Sequence, residues 1–186
     1  AIAANTNRQR FLARLFDTLW DRYRERVSYV RDYEQVIAAA GATFVNDHIA
    51  FRTLAAQRHM TGIATVSRIF EALGYRIARL SNFPVEHLVG IPHQHTNSSC
   101  PVLFISELRS WEMDTPTREV IARCAGQHRD AICENELAEL ASLDALSTGA
   151  NVEKLFDDVV GRFHQLPWLP PDKADVEKVN EESQYA

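Results

Sequence analysis

The 186-residue sequence is poor in glycine and proline, seven of each, which excludes collagen-like, low-complexity and largely disordered chains. It has no apolar run near the roughly 18–20 residues that cross a bilayer, so no membrane partner is expected. Positive charge is not in excess. Twenty Lys and Arg against 25 Asp and Glu give a net charge of −5, and no nucleic-acid partner is expected. Arg8, Arg10, Arg14, Arg22, Arg24 and Arg26 crowd the start of the chain, but Asp17, Asp21 and Glu25 sit among them, the pattern of a solvated helix face. Only three cysteines occur, Cys100, Cys124 and Cys133, without CxxC spacing. They read as reduced, partly buried thiols, and the expected location is cytoplasmic. Residues 1–7 carry neither the basic nor the apolar part of an export signal, and the absent initiator Met reads as trimming or processing. GxGxxG, P-loop, HExxH and GxSxG signatures are missing too. Dinucleotide, phosphate-loop, zincin and α/β-hydrolase readings thereby lose their main support.

What is present is strong periodicity. Over residues 9–27 the apolar residues Phe11, Leu12, Leu15, Phe16, Leu19, Trp20 and Tyr23 recur every three or four positions, predicting a long helix capped by Asn5 or Thr6. A second helix is expected over 28–40, stopped by Gly41. Residues 42–54 are rich in β-branched and aromatic side chains and predict a strand. Helical spacing returns over 61–73 and Gly74 ends it. Extended stretches are expected around 75–80 and 84–91, and the most apolar one, 101–108, belongs in the middle of a sheet. Thr115 and Pro116 read as the cap and first residue of a further helix. Helices are also expected over 134–143, 152–166 and 173–185, with residues 167–171 as a rigid connector. The sum is an α+β fold, a small mixed or antiparallel sheet flanked by N- and C-terminal helices. It is read as a single domain over residues 1–186, with helices in 8–40, a sheet region in 42–109 and a helical region in 115–186.

Chemistry concentrates in Asn46-Asp47-His48-Ile49-Ala50-Phe51-Arg52-Thr53. Strand side chains two apart share a face, so Phe44, Asn46, His48, Ala50 and Arg52 point one way, and Val45, Asp47, Ile49, Phe51 and Thr53 the other. The second set is mostly apolar and suits packing on helices. In the first, small Ala50 leaves room between His48 and Arg52, whose Cα atoms stand about 13 Å apart at roughly 3.3 Å per residue. Imidazole is a common ligand for Fe, Zn and Mn, and a guanidinium grips a carboxylate through two parallel hydrogen bonds. A metal on His48 and a small oxo or dicarboxylic acid on Arg52 fit this face, with Asn46 as an orienting neighbour. A lone His and Arg on a strand also serve to cap loops or pair with surface acids, and spacing alone leaves both readings open.

The strand and the apolar Phe104-Ile105-Ser106-Glu107-Leu108 that follows it resemble the 2-oxoadipate dioxygenase/decarboxylase family. So do Phe16-x-x-Leu19-Trp20-x-x-Tyr23, Leu73-Gly74-Tyr75, Phe83-Pro84 with His87-Leu88, Leu166-Pro167-Trp168, and Glu182-Ser183-Gln184-Tyr185-Ala186. The resemblance implies a relative of the vicinal-oxygen-chelate (glyoxalase-like) enzymes, holding non-haem Fe(II) on two histidines and a glutamate. It implies O2-dependent conversion of 2-oxoadipate to 2-hydroxyglutarate with loss of CO2, in lysine breakdown. It maps His48 to the first metal ligand and Arg52 to the arginine that binds the substrate carboxylate. The family's second histidine and glutamate lie downstream of an element like 182–186. The chain is therefore read as the N-terminal portion of a longer protein, inactive by itself.

Other candidates are weaker. His93 and His95, with His87 nearby, are spaced to chelate a metal, but the Asn- and Ser-rich residues after them read as an exposed loop with surface histidines. Glu107 reads as a partner of Arg109 or a helix cap, not as a ligand. His59-Met60 reads as a packing or capping pair, and His128 and His164 as structural residues on helix surfaces. Ser106 and Cys124 lack nucleophile surroundings. Beside the oxygenase stand two alternatives. One is a metal-free carboxylate-binding or interaction module using Arg52, the other a glyoxalase-like lyase or isomerase using His48 with a different divalent metal.

Overall fold

Helices form where apolar residues recur at helical spacing and a polar residue closes the first turn. A computed structural model describes residues 2–55, 61–78, 81–83, 87–126, 132–145, 150–164, 166 and 168–183. Helix α1 (Asn7–Arg26) starts at Thr6, whose hydroxyl accepts from Gln9 N, and buries Phe11, Leu12, Leu15 and Phe16. Helix α2 (Ser28–Ala39) follows directly and ends before Gly41, whose φ of 70° is the left-handed conformation a helix stop requires. The chain then enters β1 (His48–Ala55), α3 (Ile63–Ala72), β2 (Tyr75–Ile77), β3 (Ser81–Phe83), β4 (Leu88–His95) and β5 (Val102–Arg109). A single 3-10 turn leads to α4 (Thr115–Ala125), α5 (Glu134–Ala141), α6 (Ala150–His164) and α7 (Lys173–Glu182).

The strand order is β1-β5-β4-β2, with β3 also paired to β4. Strands β1 and β5 run parallel, and the other pairings are antiparallel. The sheet is therefore mixed, β5 is interior as its apolar sequence predicts, and β1 is the end strand of the described sheet. The two faces of the sheet are covered unequally. Leu103 and Ile105 of β5, with Ile49, Phe51 and Ile91 beside them, face α1, α3, α5 and α6 in the main core. On the opposite face, the described residues cover one end. There Leu54, Leu88 and Leu108 meet Met113 after the 3-10 turn, Ile121 of α4 and Val179 of α7. Arg123 pairs with Asp175, and Asp114 N donates to Glu182 Oε1 at 2.8 Å, tying α4 to α7.

Several expectations need correction. The strand starts at His48 rather than at 42, because Phe44 leaves the sheet to stack on Trp20 (centroids 4.9 Å) and meet Tyr33 edge-on. The cap of α4 is Asp114, which accepts from Thr117 N at 2.8 Å, so Thr115 is already helical. The stretch holding His93 and His95 is β4, not a loop. The arginines of α1 are not simply solvated. Arg14 pairs with Glu153, Arg8 with Asp144, and Arg26 reaches the carbonyl of His164 at the end of α6. Of the cysteines, Cys100 and Cys124 are half-buried but Cys133 is exposed, as free thiols. His59-Met60, His128, Pro84, Pro167 and residues 184–186 lie outside the described residues.

Candidate active site on the open sheet face

Alternation along β1 divides its side chains as the sequence implies. His48, Ala50 and Arg52 are exposed, while Ile49 and Phe51 turn toward the helices. The register carries this division across the sheet. His48 lies beside Val102. Ala50 lies in a row with Phe104 and Pro92, Arg52 with Ser106 and Gly90, and Leu54 with Leu108 and Leu88. The last row is the one roofed by α4 and α7. The open face is thus a shelf closed at the Leu54 end, with His48 at its open end and Arg52 between.

Two neighbours behave differently from the alternation. Asp47 precedes the strand and turns back so that its Oδ2 lies 3.1 Å from His48 Nδ1. That contact holds the Asp47 carboxyl below the usual carboxylate range. Period-two reasoning placed Asp47 on the opposite face and missed this contact. Asn46, expected beside His48 on the strand face, lies outside the strand and lines, with His48 and Ala50, a groove along β1. The groove encloses about 510 Å³ between α1, α6 and β1, walled by Trp20, Tyr23, Phe51 and Phe163 with Arg22, Arg26 and His164.

Glu107 stands on the helix-packed side of β5, away from His48. Its Oε2 accepts from Ile63 N at 2.8 Å, closing the first turn of α3, and a Cβ added to Gly62 would lie 2.0 Å from that oxygen. Gly62 has φ 69°, so both its space and its backbone demand glycine. Arg109 pairs instead with Glu112 (3.0 Å), which also meets His87 Nδ1 at 3.3 Å. Glu107→Ala is expected to cost about 1–2 kcal/mol through the lost cap and to leave metal affinity unchanged. Urea unfolding and Fe(II) titration read the two effects separately, and lost metal binding at wild-type stability would instead make Glu107 a ligand.

His93 is fully buried on the same helix-packed side. Its Nδ1 lies 3.0 Å from the Ile91 carbonyl, and its Nε2 has no hydrogen-bond partner. His95 Nδ1 accepts from Asn97 N at 2.8 Å, and its ring meets Tyr75 edge-on. His93 is a core histidine and His95 a half-buried one held by Asn97, and the chelation reading fails with the loop reading. Burial lowers the pKa of both. A lowered histidine pKa stabilises the fold fully above the unfolded value of about 6.5 and progressively less as pH falls through it toward the folded pKa. The urea midpoint is therefore expected to drop between about pH 7.5 and 5.5, with a shallower drop in His93→Asn. An equal drop in both proteins would remove His93 from the account.

Among the described residues no three metal-ligating side chains cluster. His48 is thus the one open-face imidazole the strand offers, with Arg52 two rows along. His164 sits at the end of α6 with its Nδ1 3.2 Å from Arg26 Nη2, a structural position. No helix among the described residues is long and apolar enough to cross a membrane.

Comparison with known proteins follows the same lines. The sequence profile of the family described as 2-oxoadipate dioxygenase/decarboxylase matches residues 14–186. No curated protein matches the chain in sequence. Among solved structures, a protein assigned to the glyoxalase superfamily from Ralstonia eutropha JMP134 is 26% identical with a TM-score of 0.83, over 95% of this chain and 57% of that one. The hydroxyglutarate synthase of Oryza sativa, crystallised with 2-oxoadipate, is 19% identical with a TM-score of 0.69, over 94% of this chain and 52% of that one. The hydroxyglutarate synthase of Pseudomonas putida is 15% identical with a TM-score of 0.66, over 99% and 48%. The last two speak for a shared fold, and the chain spans about half the length of all three.

Proposed function

The chain belongs to the 2-oxoadipate dioxygenase/decarboxylase family, and we propose that it supplies the substrate arginine and one metal ligand for O2-dependent oxidative decarboxylation of a linear 2-oxo dicarboxylate. The observation that carries this reading is the open face of β1, where His48 and Arg52 stand two rows apart with only Ala50 between them. The hydroxyglutarate synthase that shares the fold binds 2-oxoadipate, which supports an acid of that class.

The fit to a metal can be tested on the residues present. With Asp47 Oδ2 beside Nδ1, the His48 ring holds its proton on Nδ1 and presents the Nε2 lone pair outward, the arrangement metal-binding histidines adopt. His48 fits Fe(II) as one ligand. The described residues gather no group of three metal-ligating side chains, so the other ligands of a two-histidine, one-carboxylate centre would come from outside them. Bound Fe(II) would supply the O2 activation that two histidines and a carboxylate with open positions support. Arg52 takes the distal carboxylate of the substrate through its two parallel N–H donors and fixes the oxo-acid end toward His48. Leu54, Leu88 and Leu108 under α4 and α7 keep water from the far side of Arg52.

The reaction balances for 2-oxoadipate and O2. The C1–C2 and O–O bonds break, C1 leaves as CO2, one oxygen atom completes the new carboxyl group at C2, and the other enters a C3–H bond to become the hydroxyl of 2-hydroxyglutarate. The test is O2 uptake by the whole protein loaded with Fe(II). Consumption of O2 and 2-oxoadipate in equal amounts, with CO2 and 2-hydroxyglutarate formed, is expected. Absence of uptake with this acid and its homologues would overturn the proposal.

A further inference from the structure

A ligand that reaches from His48 to Arg52 must cross the row formed by Ala50 and Phe104. Ala50 offers only a methyl group. The position of Phe104 is set by a residue on the next strand. A Cβ added to Gly90 would lie 2.4 Å from Phe104 Cζ, 2.9 Å from Cε1 and 3.2 Å from Cε2. The tip of the ring therefore occupies the space above Gly90, which belongs to the Arg52–Ser106 row on β4. Only glycine admits it there, and the ring in turn buries Gly90. Leaning toward β4, the ring tilts away from β1 and leaves Ala50 exposed. The result is a trough between His48 and Arg52, with Ala50 as floor and the half-buried Phe104 ring as one wall.

We infer that Phe104 is the specificity-determining wall of this trough, lying along the methylene chain of the acid and setting the chain length accepted. The inference rests on the proposed roles of His48 and Arg52. With both ends of the ligand fixed, the apolar contacts between them must distinguish one methylene more or fewer. An apolar slot discriminates such neighbours by roughly ten- to two-hundred-fold. Gly90 is then a positioning residue, because it decides where the ring lies without touching the ligand.

The experiment is calorimetric binding of 2-oxoglutarate, 2-oxoadipate and 2-oxopimelate to the metal-loaded whole protein without O2. Phe104→Ala is expected to reduce the preference for the best-fitting acid over its neighbours about tenfold. Gly90→Ala forces the ring toward Ala50 and should weaken every linear acid. Adding Phe104→Leu to it should restore part of the loss, which a general packing defect would not do. Arg52→Ala should weaken all three acids and, with one end of the ligand released, narrow the differences between them. Unaltered ratios in Phe104→Ala or Phe104→Leu, alongside weakened binding in Arg52→Ala, would overturn the inference alone. Unaltered binding in Arg52→Ala would overturn the reading beneath it. Should Phe104→Ala not fold, Phe104→Leu carries the same comparison.

Discussion

His48→Ala in the whole protein is expected to lower Fe(II)-dependent turnover of 2-oxoadipate by more than about 100-fold, with melting temperature unchanged. The lower bound follows from position. Replacing a residue that only orients a metal ligand typically costs about 10–100-fold in affinity or activity, so removal of a ligand itself must exceed that range. Asp47→Asn tests the graded case, because the Oδ2 contact to His48 Nδ1 is weakened while the imidazole remains. It should fall within the 10–100-fold window, chiefly as weaker metal binding. Stability is predicted to hold because the His48 side chain is 64% exposed, and exposed substitutions usually stay within about 0.5 kcal/mol. Metal content by absorption spectroscopy, O2 uptake and thermal melting together decide the matter. A His48→Ala protein with full metal content and turnover would remove His48 from the site.

How much of this was legible in the sequence depends on the range of the interactions involved. The cap at Thr6, the stop at Gly41 and the interior place of β5 come from residues close in sequence, and periodicity and turn chemistry report these well. The shared face of His48, Ala50 and Arg52 was legible for the same reason, since period two is a local property of an extended chain. What escaped lies in contacts between distant residues. Phe44 leaves the strand for Trp20, 24 positions earlier, an attraction no strand propensity encodes. The roof of α4 and α7 joins Met113 and Ile121 to Val179, and the charged sequence of α7 gave no sign of a partner. His93 misled in the opposite direction. The polar residues after it suggested a loop, whereas Leu103 beside it and Ile91 before it draw β4 into the core. Asp47 was missed because alternation ceases at a strand's first residue.

Phe70→Ala is expected to cost about 3–5 kcal/mol, the largest loss for any single truncation proposed for this chain. Phe70 is fully buried on α3 and its ring meets four others: Phe16 of α1 (5.9 Å, stacked), Phe51 of β1 (5.3 Å), Tyr75 of β2 (5.8 Å) and Phe163 of α6 (5.8 Å). Each partner comes from a different element, so the space left by truncation cannot close by moving one side chain. The cost should therefore lie toward the upper part of the range, because it grows with the cavity that remains. Phe51 links this cluster to the site, since it alternates with Ala50 and Arg52 on the same strand. Loosening its inner contact should let β1, the end strand of the described sheet, lose alignment of His48 and Arg52 before the whole sheet unfolds. Phe70→Leu keeps most of the volume and should cost about 1–1.5 kcal/mol. Its ligand affinity should fall more than its stability does. Urea unfolding of the three proteins at one pH, followed by metal titration of the folded forms, provides both readings. A Phe70→Ala protein within about 1 kcal/mol of wild type would show that the aromatic cluster re-forms without its centre, and β1 would then owe its position to the pairing with β5 alone.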